Sequence, residues 1–177
     1  MVDVYKSFNL LGSEIINFVE LGDQQKELVR QWRNHADISK WMRTDHIISS
    51  DEHLAFIERL KSDKKNVYWL VNDNGQEIGV IYLSNINFEN STAYLGIYAN
   101  PYLSGVGAKL IGILKELSFN VLGLSGLKLE VMENNLRAIN FYKKHGFVLE
   151  NKKNEQITRD GKLYHEIIMG LYYDHKS

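Results

Sequence analysis

The chain has 177 residues, 44% hydrophobic and 24% charged, with 21 basic against 22 acidic side chains and a formal net charge of −1. That balance fits a folded domain with a sizeable core. It argues against disorder and against a surface built for a nucleic-acid backbone, so no nucleic-acid partner is expected. There is no cysteine, which excludes a disulfide, a thiolate nucleophile and a cysteine metal site, and the six histidines show no metal spacing, so no metal is expected.

The opening MVDVYKSFNLLGSE has no basic region followed by a long apolar run, and no apolar stretch approaches the ~20 residues that span a bilayer. No signal peptide and no membrane partner are expected, and the expected location is the cytoplasm. Ser13 to Leu21, with Ile15, Ile16, Phe18 and Val19, predicts a first strand. Gly22-Asp23 opens a helix carrying Leu28, Val29 and Trp32. Arg33 to Ser50 (RNHADISKWMRTDHIISS) is a connector rich in aromatic, basic and polar side chains. Ser49-x-x-Glu52 has capping-box spacing, and Leu54, Phe56, Ile57 and Leu60 follow on a second helix. Val67 to Asn72 reads as a strand. Asp73-Asn74-Gly75 turns it into a hairpin with Glu77 to Ile86, and Asn87 to Ser91 turns again into Thr92 to Tyr98, completing an antiparallel meander.

Asn100-Pro101 ends that strand. Tyr102 to Gly107 leads into a helix with Val106, Leu110, Ile113, Leu114, Leu117 and Val121 on one face, closed by Gly123. Leu127, Leu129 and Val131 then alternate with Lys128, Glu130 and Met132, a strand. Leu136, Ala138, Ile139 and Tyr142 recur at helical spacing, with Asn134 predicted as N-cap and Gly146 as the residue past the C-cap. A strand starts at Phe147, and Lys153 to Thr158 and Leu163 to Tyr172 flank the turn Arg159-Asp160-Gly161-Lys162. Residues 1–177 read as one domain. The order β-α-α-β-β-β-α-β-α-β-β predicts an α/β (α+β) architecture, a mixed central sheet of about seven strands with helices on both faces.

Several residue types in this frame suit chemistry. Gly105-Val106-Gly107 at a helix start lets backbone approach a pyrophosphate and presents free amides to it. Glu130, an acid on a central strand, suits a general base that deprotonates an amine, or an ion pair with Lys128 or Arg137. Tyr142 is either a packed helix tyrosine or a proton donor. In the connector, Arg33, Met42, Arg43, His53 and Phe56 combine cations, donors and flat apolar faces of the kind that hold a nucleotide, although Phe56, Trp41 and His53 also suit a core.

Asn135-x-x-Ala138-x-x-x-Tyr142-x-x-x-Gly146-Phe147 resembles the second acetyl-CoA-binding motif of the GNAT family of N-acetyltransferases, and Gly105-Val106-Gly107 stands where that family has its first. The resemblance implies a GNAT fold with a splayed parallel strand pair, and acetyl-CoA as co-substrate. It implies a pyrophosphate cradle from Leu103, Ser104, Gly105, Val106, Gly107 and Ala108, helped by Ser104 or Lys109. Leu95 and Ile97 would meet pantetheine and the thioester oxygen through the main chain, and Asn135 and Ala138 the cofactor. Tyr142 would give its proton to the departing thiolate. Asn135 reads equally as a helix-start residue. Tyr102 departs from the pattern, since the family has Gln or Arg there. Within the family, WRNH…WM…EHLAFI…YLGIY…LEVMENNLRAINFYKKHGF resembles the group that acetylates a UDP-linked 4-amino-4,6-dideoxy sugar in pseudaminic acid biosynthesis. That implies a UDP-amino-sugar site lined by Arg33, Met42, Arg43, His53, Phe56, Tyr94 and Glu130, and direct amine attack without a covalent enzyme intermediate. The competing expectations are a ribosomal-protein or other protein N-terminal acetyltransferase, a spermidine-type enzyme and a non-catalytic acyl-CoA-binding sensor. A homodimer is compatible with all of them.

Overall fold

A computed structural model describes residues 2–174. Eight strands form one sheet in the order β1-β2-β3-β4-β5-β6-β8-β7: β1 Phe8–Leu10, β2 Ser13–Asn17, β3 Val67–Asp73, β4 Gln76–Asn87, β5 Thr92–Ala99, β6 Gly126–Met132, β7 Val148–Arg159 and β8 Lys162–Tyr172. Every pairing is antiparallel except β5 with β6. The helices are α1 Asp23–Asn34, α2 Ala36–Ser39, α3 Ser50–Leu60, α4 Gly107–Lys115 and α5 Leu136–Lys144. The expected mixed sheet with helices on both faces is present.

Strand alternation divides the core in two. Trp69, Val71, Ile81 and Leu83 face α4 and α5 together with Leu110, Leu114, Leu127 and Phe147. Leu70, Val80 and Tyr98 point the other way and meet Val29 and Trp32 of α1 and Ile57 and Leu60 of α3. Local chemistry sets the element ends. Ser49 accepts from the Glu52 amide at 3.1 Å while Glu52 accepts from the Ser49 amide at 2.9 Å, the predicted capping box of α3. Asn74 and Gly75 have φ of 52° and 84°, and Asp160 and Gly161 have 50° and 74°. Two consecutive left-handed residues are what a tight β-hairpin turn needs.

The differences from expectation are local. A short additional strand, β1, reaches β2 through Leu11 and Gly12 at φ 49° and 78°; three residues carry too little alternation to announce a strand. The predicted first strand stops at Asn17, whose side chain accepts from the Val19 amide at 3.0 Å and bends Phe18–Glu20 into a 3₁₀ turn. The helix after Gly107 widens into a π-helical segment over Glu116–Val121, a backbone change that hydrophobic spacing does not register. The N-cap of α5 is Asn135, whose Oδ1 accepts from the Ala138 amide at 3.2 Å, so the cap is one residue later than predicted.

Candidate active site

The parallel pair is closed at one end only. β5 and β6 are in register from Thr92–Gly126 to Tyr94–Lys128, and there the pairing stops. β5 continues against β4 as far as Ala99, and β6 against β8 as far as Met132. Each strand is held by its outer neighbour while its inner edge faces a gap. Asn100 strengthens the pull on β5: its amide donates to Ile78 O at 2.9 Å and its side chain to Glu77 O at 3.0 Å. The gap opens into a cleft of about 610 Å³ that runs through the sheet, bordered by Leu95–Ala99 and Leu129–Val131. Unpaired strand edges at its walls offer donors and acceptors to an extended ligand.

One end of the cleft is made by the loop before α4. Leu103, Ser104, Gly105, Val106 and Gly107 line it, while Ala108 is exposed and does not. No described residue accepts from the amides of Gly105, Val106, Gly107, Ala108 or Lys109, and α4 has no side-chain cap, so its positive end stands open to an anion. Gly105 holds φ +75°. Gly107 lies against Phe141 of α5, and a Cβ there would sit 3.1 Å from the ring. Lys109 is turned away and pairs with Asp73 at 2.6 Å; of the two side chains expected to assist this loop, only Ser104 faces the cleft. Tyr102 is 79% exposed and meets His35 edge-on at 5.7 Å.

Leu95, Ile97, Asn135, Ala138 and Tyr142 also line the cleft. Asn135 commits one lone pair of its oxygen to the helix cap, which leaves its amide nitrogen and the second lone pair for a ligand. Tyr142 is wedged edge-on between Phe141 at 5.3 Å and Phe147 at 5.6 Å. Burial, with Tyr82 adding to it, raises its pKa well above the usual tyrosine value, so the hydroxyl is a neutral donor at working pH. Glu130 faces the cleft from the opposite strand but is not buried. It pairs with Lys153 of β7 at 3.2 Å, not with Lys128 or Arg137, and Lys153 reaches the buried Glu166 of β8 at 3.4 Å. Burial works against the charge on Lys153, yet the hydrogen bond to Glu130 and the two carboxylates hold its pKa above the usual lysine value.

Of the residues expected at the acceptor end, Met42, Arg43 and Tyr94 line the cleft, and Trp41 joins them. Arg43 pairs with Glu155 at 2.8 Å. Arg33, His53 and Phe56 do not line it. Phe56 packs edge-on to Tyr68 at 5.0 Å, and His53 lies 6% exposed against Phe18 between α1 and α3, where burial lowers its pKa. Arg33 lies near Tyr68, Tyr82 and Tyr98. Burial lowers its pKa against the pull of those tyrosines; its Nη2 donates to Thr44 O at 3.0 Å, and its buried Nη1 has no partner. Residue type and the family resemblance grouped these three at the acceptor end, and neither could say which of them packing would turn away from the cleft.

The sequence reading passed over two contributors. Arg159, at the end of β7, donates to the carbonyls of Met42 and, at 2.7 Å, Arg43, and so fixes the connector over the cleft. Tyr82 of β4 lines the cleft opposite Gly96. A glycine in mid-strand signals a close approach by something, and Gly96 was that signal.

Residues 27–147 match the model of the acetyltransferase (GNAT) family. The chain is 38% identical over 139 residues to the acetyltransferase PseH of Campylobacter jejuni, covering 78% of this chain and 87% of that protein. The crystal structure of C. jejuni N-acetyltransferase PseH in complex with acetyl coenzyme A superposes with a TM-score of 0.73 at 28% identity, over 92% of this chain and 99% of that one. Spermidine N-acetyltransferase from Vibrio cholerae, in complex with CoA and spermine, superposes with a TM-score of 0.81 at 21% identity, over 91% and 95%; at that identity the likeness is one of fold.

Proposed function

The chain belongs to the acetyltransferase (GNAT) family, and on that premise we propose that it transfers acetyl from acetyl-CoA to the 4-amino group of a UDP-linked 4-amino-4,6-dideoxy sugar in pseudaminic acid biosynthesis. The observation that carries the proposal is the splayed strand pair. Its one cleft brings the open amides of α4, Tyr142, Glu130 and the acceptor-side Met42, Arg43 and Tyr94 into contact with a single volume. The likeness to a PseH structure holding acetyl coenzyme A supports the cofactor half.

In this reading the pyrophosphate lies on the amides from Gly105 to Lys109, which compensates for the missing cation at Tyr102. Pantetheine runs along the free edge of β5 past Leu95 and Ile97, which presents a main-chain N–H to the thioester oxygen. The amine attacks from the Glu130 side, a C–N bond forms, and the C–S bond breaks toward Tyr142. A phenol at about 10 or above gives its proton to a thiolate near 8.5 only uphill, by at least about 2 kcal/mol. Tyr142 therefore supports the departing sulfur first as a hydrogen-bond donor and delivers the proton as CoA leaves.

At the acceptor end the carboxylates are paired with cations: Glu155 with Arg43, and Glu130 and Glu166 with Lys153. Carboxylates already paired in this way favour an amino sugar over a polyamine, which would call for uncompensated negative charge. No described helix is long and apolar enough to cross a membrane. A cytoplasmic enzyme fits a nucleotide-sugar substrate, and the exposed Val148 and Leu149 on the outermost strand offer an edge for a homodimer. The test is direct: millimolar UDP should raise the thermal midpoint, because a ligand that binds only the native state stabilises it. No shift would overturn the nucleotide-sugar assignment.

A further inference from the structure

We propose that Tyr82 is a catalytic residue of this enzyme: its hydroxyl, held at the splay between Glu130 and Tyr142, accepts the hydrogen of the incoming amine and passes a proton on to Glu130. The inference rests on the amine-acetylation reading above and adds a residue to it.

The placement of Tyr82 is unusually constrained. It pairs with Gly96 across β4 and β5, two residues past the last paired position of the β5–β6 edge. A Cβ added at Gly96 would overlap Cζ and Oη of the Tyr82 ring. The ring tip therefore lies directly over bare backbone, at the point where the two strands part, and only glycine allows it there. Behind, the ring stacks on Tyr68 with centroids 4.5 Å apart and planes 14° from parallel, and Tyr68 is backed by Phe56. An aromatic side chain braced on one side and laid on backbone on the other has no free rotamer to leave by.

What the braced hydroxyl faces follows from strand alternation. Tyr82, Tyr94, Gly96 and Tyr98 share the α1–α3 face of the sheet, as does Glu130 on β6. Tyr142 approaches from the α5 face through the gap. Burial raises the Tyr82 pKa; the charge on Glu130 adds to the rise and Arg33 opposes it, and Tyr142 in turn feels Tyr82. The Tyr82 hydroxyl makes no hydrogen bond with any described residue, and its side chain lines the cleft. A neutral phenol both donates and accepts, which is what a group between an amine and a carboxylate has to do.

The step balances without a further reactant. As the amine nitrogen bonds to the acetyl carbon, its excess proton passes to Tyr82 Oη while the Tyr82 proton passes to the Glu130 carboxylate. Tyr82 ends as it began. The C–S electron pair leaves with sulfur, which takes its proton from Tyr142, and Glu130 later releases its proton to solvent.

The experiment compares wild type, Tyr82→Phe, Glu130→Gln and the double variant, on whichever amine the wild type acetylates. Tyr82→Phe keeps the stack on Tyr68 and the packing over Gly96. It should lower kcat about tenfold or more, with the KM for acetyl-CoA and the thermal midpoint unchanged. The double variant should be no more than about threefold slower than Glu130→Gln, since both groups serve one proton. A kcat within twofold of wild type for Tyr82→Phe overturns the proposal, as do effects that simply multiply in the double variant. Should the Phe variant fold poorly, Gly96→Ala displaces the same ring from the other side; undiminished kcat there overturns the proposal too. If the wild type acetylates another amine but not the amino sugar, the substrate assignment fails while Tyr82 is still tested.

Discussion

Gly105→Ala isolates the backbone geometry on which cofactor binding depends. Gly105 sits at φ +75° with nothing within 4 Å of an added Cβ, so the methyl meets no neighbour and its whole effect is conformational. An L-residue in that region pays roughly 1–2 kcal/mol. In the free protein the exposed loop can relax toward negative φ and turn its amides out of line. Binding a pyrophosphate must restore them, so the strain appears in affinity. At 1.4 kcal/mol per factor of ten, acetyl-CoA should bind about 5- to 30-fold more weakly. Gly112→Ala is the matched control, five residues into α4 with an ordinary φ and equally open space. There alanine should stabilise the helix by about 0.5–1 kcal/mol, raising the midpoint by a few degrees, and leave affinity unchanged. Isothermal titration with acetyl-CoA reads both. A Gly105→Ala protein that binds within twofold of wild type would refute the assignment of these amides to the pyrophosphate.

Other expectations concern the two ends of the cleft. Tyr142→Phe should reduce kcat by one order of magnitude or more at unchanged acetyl-CoA affinity; equal stopped-flow rates of CoA release would retire it as the acid. Arg159→Met frees the carbonyls of Met42 and Arg43, so steady-state kinetics should show a raised acceptor KM with the acetyl-CoA KM unmoved. A rise in both would instead mean general loosening. His53 is buried with a lowered pKa, so the unfolded state takes up its proton first as pH falls. Stability should be at its plateau above about pH 6.5 and decline below it. His53→Gln should flatten that decline in pH-dependent thermal melts, and an identical slope would show that other groups set it.

Much of the fold is written in residues whose chemistry is local. Asn74-Gly75 and Asp160-Gly161 bend hairpins wherever they occur, Ser49 and Glu52 cap each other, and two alternating strands around a helical run leave few topologies. The splay is another matter. It depends on where pairing stops between Tyr94 and Leu95, on the outer partners of β5 and β6, and on the Asn100 side chain; none of these has a sequence period. The same limit governs the site. Gly105 and Gly107 were visible as a helix start, and Asn135 and Tyr142 through the resemblance to the family's second motif. Arg33, His53 and Phe56 share the acceptor segment with Met42 and Arg43, yet Phe56 packs behind Tyr68 and neither Arg33 nor His53 lines the cleft. Arg159 and Lys153 hold the connector and Glu130 from a strand more than 100 residues beyond the connector, with which no pattern links them. Gly96 was the overlooked clue, since a strand glycine marks an approach without naming the partner.

The central claim is acetyl transfer to a nucleotide-linked amine in the cleft between β5 and β6. Purified protein should be incubated with acetyl-CoA and, separately, a UDP-4-amino-4,6-dideoxy sugar, spermidine and a ribosomal-protein N-terminal peptide, with free thiol and product mass followed together. The account predicts thiol release matched mole for mole by an acetylated nucleotide sugar, with the other two acceptors at background. Acetylation of spermidine or the peptide with the sugar untouched would contradict it.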